Sequence, residues 1–252
     1  MTRSHEENTT IISRQDKCLV LSCAVLWREV SYFAALSSQV YDLKFIDQNL
    51  HNQPAELKKY LQTEINNAGG YQAVMLCYGL CSNAVDGLTA GKRPLVLFAV
   101  HDCISFFLGS AGRYREIYDK NPGIYWYTPG WIDHTLMPGK QRYDYLLADY
   151  REKYGEDNAL YLMETEQNWF KKYGTAAYID LGFLQADRYR EFTRKCANWL
   201  GWKFCEYQGD ASLFRNFFNQ EWKSRDIMVI NPGEAVRASY NNNILCSCLE
   251  AK

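Results

Sequence analysis

The sequence predicts an α/β protein, with a mostly parallel, Rossmann-like sheet in an N-terminal lobe and a second, smaller α/β lobe after it. Three observations carry that prediction. Short apolar runs of strand length alternate with segments of helical period from Lys17 to Val100. The helical segments are long enough to act as the crossovers that parallel strands require. The same rhythm resumes after residue 150.

Taken in order, Lys17 to Cys23 (KCLVLSC) has the length and composition of a buried strand, and Leu26, Val30, Phe33 and Leu36 follow near helical spacing. Tyr41 to Asp47 alternates apolar and polar residues as a second strand. Pro54 then opens a helix whose Leu57, Leu61 and Ile65 share one face. Gly69-Gly70 ends it, YQAVMLCYG is the third strand, and the turn-rich GLTAGKRP leads into the fourth, PLVLFAV. Gly109 to Trp131 is rich in glycine and aromatic residues, a composition expected of a folded, lid-like loop over a site.

Beyond it come a helix over GEDNALYLMETEQNWFKKYG, a strand over TAAYIDLG, and a helix carrying Tyr189, Phe192, Cys196 and Trp199 on one face. Strand WKFCEYQ follows, then a helix capped by Asp210, then a final strand, DIMVINPG, closed by Pro232-Gly233. The expected organisation is a polar tail over 1–16, an N-terminal lobe over 17–150 and a C-terminal lobe over 151–252.

Bulk properties narrow the function. The 252 residues carry 28 basic and 29 acidic side chains, a formal net charge of −1 that gives no footprint for nucleic acid. No apolar stretch approaches membrane-span length, and the polar opening MTRSHEENTT lacks the apolar core of a secretory signal, so a cytoplasmic location is expected. Nine cysteines are many for a reducing compartment, where structural disulfides are disfavoured; ligands, nucleophiles or core fillers are the alternatives.

Placement separates those alternatives. Cys23 ends the first predicted strand, Cys77 and Cys81 flank the end of the third, and His101 and Cys103 follow the fourth. In an open parallel sheet the carboxyl ends of the strands line the ligand crevice, so these residues are directed to one place. His101 and Cys103 stand two apart, which in extended chain puts imidazole and thiol on the same side. The expected metal ligands are Cys23, Cys81, His101 and Cys103, and the soft donor set favours zinc or another thiophilic transition metal.

Cys77 reads as core filler. Glu29, on the helix after Cys23, is the candidate proton acceptor or fourth ligand, against the alternative of a solvated helix carboxylate. Asp102 is a candidate orienting partner for His101 or a cap for the next segment. His51 and His134 are weaker candidates, and His5 lies in the tail. Cys246 and Cys248 form a CSC pair near the C-terminus, read as incidental. The dinucleotide fingerprint G-x-G-x-x-G is absent after the first strand.

The stretches SCAVLWREV, YGLCSNAVDGL, PLVLFAVHDCISFFLGS, PGIYWYTPGW, GWKFCEYQGDASLF and INPG resemble the family catalogued as domain of unknown function 1638. In that family's pattern the residues corresponding to Cys23, Glu29, Cys81, His101, Asp102 and Cys103 recur, and position 77 is commonly glycine. The resemblance implies an association with corrinoid-dependent methyl transfer, and with it a corrinoid or a methyltransferase protein as partner. His101-x-Cys103 is also similar to the zinc pattern of methylcobamide–thiol methyltransferases, although their further cysteine follows that pair whereas Cys23 and Cys81 precede it here.

The expected function is a metal-dependent enzyme acting on a small thiol or a one-carbon or methyl donor. The alternative is a metal- or cofactor-binding delivery protein without turnover. A metal-free thiol redox enzyme ranks last, because the usual Cys-x-x-Cys is missing.

Overall fold

The computed structural model describes residues 16–81, 83–183, 186–239 and 244–249. The predicted polar tail, with His5, lies outside the described residues except for Asp16. Along the chain run β1 (Lys17–Cys23), a 3-10 turn (Ala24–Leu26), α1 (Trp27–Leu36), β2 (Val40–Ile46), a second 3-10 turn (Gln48–Asn52), α2 (Pro54–Asn67), β3 (Val74–Cys77) and β4 (Leu95–Phe98). Next are α3 (Ile104–Leu108), α4 (Ala111–Lys120), β5 (Ile124–Tyr127), α5 (Pro129–His134), α6 (Lys140–Tyr154), α7 (Glu156–Phe170) and β6 (Thr175–Asp180). The chain continues through α8 (Asp187–Leu200), β7 (Lys203–Gln208), α9 (Ser212–Phe218), β8 (Ile227–Ile230), β9 (Glu234–Ala238) and β10 (Leu245–Leu249).

The chain is α/β, with a five-stranded sheet in the order β2-β1-β3-β4-β8. β1, β2, β3 and β4 are parallel, the first three joined by the crossover helices α1 and α2 and the last two by the loop over 78–94, while β8 adds antiparallel to β4 with Phe98 opposite Ile227. Every residue of β3 and β4 is buried, which explains their unbroken apolar runs: helices cover both faces, so no alternate position meets water. Pro54 opens α2 and buries Leu57, Leu61 and Ile65 along one face, as their spacing predicts. A second sheet, β5-β6-β7, is wholly parallel and has its own apolar cluster around Tyr127, Tyr178 and Ala197.

The lobe boundaries differ from the sequence expectation. Gly109 to Trp131 is not a loop: it holds α4, β5 and the first half of α5, and β5 pairs with β6. The glycine and proline density belongs to the caps, since Ser110 accepts from the Arg113 N–H, and Thr128, followed by Pro129 at the first helical position, accepts from the Trp131 N–H. The second sheet therefore begins before residue 151.

The chain also returns to the first lobe. Phe214, Phe217, Ile227, Ile230, Val236 and Leu245 pack in the same core as Val20, Leu76 and Leu97. DIMVINPG is not the final strand, because the Pro232-Gly233 turn leads into the antiparallel pair β9 and β10. Cys246 and Cys248 lie on β10 and carry no disulfide.

The two sheets meet along α5. Gly130 is seated against the 3-10 turn after β1, where an added Cβ would fall 1.6 Å from the Val25 carbonyl oxygen. Beside it, Asp133 accepts hydrogen bonds from the Arg28 guanidinium at 2.7 Å, from Arg188 at 3.1 Å and from the Tyr189 hydroxyl at 2.8 Å. Among the described residues no helix is long and apolar enough to cross a membrane.

Candidate functional site

The carboxyl ends of β1, β3 and β4 deliver the site. Cys23 is the last residue of β1. Beyond β3 the chain turns at Gly79, where a Cβ would stand 2.7 Å from the Val100 carbonyl oxygen, and the loops after β3 and β4 lie side by side. They are clipped by Leu80 N–H to Val100 O at 2.8 Å and Cys81 N–H to His101 O at 3.0 Å. Cys81 itself takes φ +40°, the left-handed region that a residue with a Cβ rarely adopts. Such conformations persist where the surroundings over-determine them, often at functional positions.

Three of the predicted ligands are buried thiols at or just past the carboxyl ends of neighbouring strands. Cys23, Cys81 and Cys103 are all buried and carry no disulfide. Burial holds each thiol well above its ordinary range: Cys23 rises to about 11 and Cys81 to about 12, and Cys103 is also strongly raised. Cys81 and Cys23 add to the rise of Cys103, and Cys23 adds to that of Cys81. Nearby carboxylates add to the effect, Asp47 on Cys23 and Asp102 on both Cys81 and Cys103. The nest is thus a negative environment, unfavourable to a free thiolate and favourable to a cation.

His101 does not join them. β4 ends at Phe98, so the chain through residues 101–103 is a bend rather than extended, and the two-residue spacing no longer puts imidazole and thiol on one side. His101 is exposed and lines a surface cavity of about 1020 Å3. Asp102 faces inward instead: its carboxylate accepts from the Ile104 N–H at 3.0 Å, opening α3. Cys77 is fully buried beside Ser22, as the filler reading expects.

Two further groups lie at the nest, Trp131, which the sequence did not single out, and His51, which it ranked as a weaker candidate. The Trp131 indole N–H donates to Cys103 Sγ at 3.4 Å. The same indole meets His51 edge-on, with ring centroids 6.1 Å apart. His51 is held below its ordinary range by burial, which Asp102 partly opposes. Both Asp47 and His51 follow the carboxyl end of β2, so the rule that selected Cys23 would have selected them had it been applied to every strand. Trp131 offers no such signal, because its approach depends on the second sheet.

Glu29 lies in the first turn of α1, buried and not solvated. Among the described residues neither carboxylate oxygen has a hydrogen-bond partner. Burial lifts its pKa to about 7, with Arg28 pulling it down and Asp133 pushing it up. It borders a small cavity of about 10 Å3 with Pro129, Asp180 and Tyr178, whose hydroxyl likewise has no partner among the described residues. That volume suits about one water molecule.

The donor chemistry of the nest fits a thiophilic ion, but its side chains do not form a finished coordination sphere. Among the described residues no group of three or more His, Cys, Asp or Glu is arranged to hold a metal ion.

A family model described as protein of unknown function (DUF1638) matches residues 45–218. The matched span contains Cys81, His101 and Cys103 and leaves Cys23 and Glu29 before it. No curated protein and no solved structure matches the chain.

Proposed function

The chain belongs to the family of unknown function DUF1638, and we propose that it is a metal-dependent enzyme acting on a small thiol or a one-carbon or methyl donor. The observation that carries this reading is the gathering of three buried, unbridged thiols at the ends of three parallel strands, among the carboxylates Asp47 and Asp102. A metal-free thiol catalyst needs surroundings that lower its pKa, and these do the opposite. A cation reverses the balance, because it favours the thiolate form that burial and the carboxylates oppose.

In this reading Cys23, Cys81 and Cys103 are the ligands, zinc is the first choice of ion, and His101 is left outside. Bound there, the ion would hold a substrate thiol as its thiolate, the form that accepts a methyl or alkyl group. The chain's own residues supply the rest. Glu29, with free oxygens and a pKa near neutrality, takes up the substrate thiol's proton. A link to corrinoid-dependent methyl transfer, with a corrinoid or a methyltransferase protein as partner, belongs to the same proposal.

The test is elemental analysis of protein purified without added metal, and again after loading with zinc, for the wild type and for Cys23→Ser, Cys81→Ser, Cys103→Ser and His101→Ala. Close to one ion per chain is expected in the wild type and in His101→Ala, with loss in each serine variant. A wild type that holds no ion after loading, or serine variants that hold it as well, overturns the reading. One ion per chain without alkylation of any small thiol would leave the delivery protein in its place.

A further inference from the structure

The cavity of about 1020 Å3 lies at the β4–β8 edge, beyond the carboxyl end of β4 and against the first turns of α4. Its size matches sites that enclose a cofactor-sized organic molecule. Its walls differ in chemistry. One is apolar, made by Val229 of β8 with Ile244, and Val229 is more exposed than is usual for a valine in a sheet. The facing wall is the α4 surface that carries Tyr114, Arg115 and Tyr118.

Tyr114 and Tyr118 lie nearly parallel, with ring centroids 6.2 Å apart and planes 20° from one another, and offer flat apolar surface. Arg115 between them is exposed, and among the described residues no carboxylate lies within salt-bridge distance of it. Of the acidic groups at the cavity, Asp226 is turned to the start of α4, accepting from the Ala111 N–H at 3.3 Å, while Asp119 stands a turn beyond Arg115. Arg225 adds a second guanidinium to the lining.

We infer that this cavity is a binding site for a flat, largely apolar organic anion, whose body lies between the β8 wall and the Tyr114–Tyr118 face and whose anionic group is held by Arg115. The surfaces fit both halves of such a molecule: aromatic and aliphatic walls remove its body from water, and a planar guanidinium suits a carboxylate or sulfonate. The site adjoins the thiol nest through His101, which lines the cavity and lies two residues before Cys103. The inference does not depend on the metal reading, since binding at this cavity is measured without metal or turnover.

The test is fluorescence titration with 8-anilinonaphthalene-1-sulfonate, a flat organic anion, and with its uncharged analogue N-phenyl-1-naphthylamine. Saturable binding of one sulfonate per chain is expected, tighter than that of the analogue. Arg115→Glu should weaken the sulfonate by about tenfold or more and change the analogue by less than about twofold, the pattern of a lost ionic contact. Arg115→Gln should fall between wild type and Arg115→Glu. Val229→Trp, which fills the apolar wall at an exposed position, should weaken both probes. Circular dichroism confirms that each variant is folded. Sulfonate binding unchanged in Arg115→Glu and Arg115→Gln, equal loss of both probes in those two variants, no effect of Val229→Trp, or no saturable binding would each overturn the inference.

Discussion

Trp131 and Cys103 are joined across the seam between the two sheets by a hydrogen bond from the indole N–H to Sγ at 3.4 Å. A donor at sulfur favours thiolate over thiol, so this contact opposes the burial that raises Cys103. Trp131→Phe keeps most of the aromatic bulk and removes the N–H. In metal-free protein the Cys103 thiol should become a weaker acid and react more slowly with iodoacetamide at pH 8.5, by roughly tenfold for each unit by which its pKa rises. Peptide mapping of the alkylated protein reads the rate at Cys103, and an equal or faster reaction would contradict the role given to the indole.

Glu29 makes stability depend on pH in a direction opposite to that of a paired carboxylate. Its folded pKa, about 7, lies above its ordinary 4.5, so between those values the folded chain binds more proton than the unfolded chain. Stability is fully present below pH 4.5 and is lost as pH rises toward 7, by roughly 3 kcal/mol in all for a shift of this size. Glu29→Gln has no proton to lose. Thermal melts from pH 5 to pH 8 should show the wild type losing several degrees relative to Glu29→Gln, and parallel curves would mean that Glu29 is not held neutral by burial.

How far the sequence reaches is visible in these same residues. The first lobe was legible because each strand is an apolar run bounded by turn residues, and each crossover helix shows its buried face at regular spacing, as Leu57, Leu61 and Ile65 do. Cys23, Cys81 and Cys103 were legible as a group because a parallel sheet sends all its carboxyl ends to one side. His101 was misdirected by a local assumption: the chain leaves β4 three residues earlier than extended spacing requires. β5 was hidden because IYWY sits among caps rich in glycine, proline and serine, and no helical or alternating period marks a strand of four residues. The return of α9 and β8 to the first core is a long-range event, encoded in packing between Phe214, Phe217 and Phe98 rather than in any local pattern.

Cys81 provides a direct measure of strain at the nest. At φ +40° a side chain crowds its own backbone, and glycine alone adopts this region without penalty. Cys81→Ala and Cys81→Gly both remove the thiol, so any difference between them isolates the backbone cost. The glycine variant should be the more stable by about 1 kcal/mol, after allowing for the greater freedom of glycine in the unfolded chain. Urea denaturation of the two proteins measures it, and an alanine variant as stable as the glycine one would remove the strain.

Asp102 acts on the nest with the opposite sign to Trp131. After burial, its negative charge is the next cause raising both Cys81 and Cys103, while the carboxylate beside Cys23 is Asp47. Asp102→Asn removes the charge and keeps an oxygen to accept the Ile104 N–H, so the start of α3 should be preserved. In metal-free protein Cys81 and Cys103 should then ionise more readily and react faster with iodoacetamide, with Cys23 much less affected. The same change takes negative potential away from the proposed ion and should weaken zinc binding, read by competition with a chromogenic chelator. A thiol nest that binds no cation would show the faster alkylation alone. Faster alkylation together with weaker zinc binding is the outcome expected of a metal site whose ligands are Cys23, Cys81 and Cys103, and unchanged alkylation at both Cys81 and Cys103 would remove Asp102 from any part in the nest.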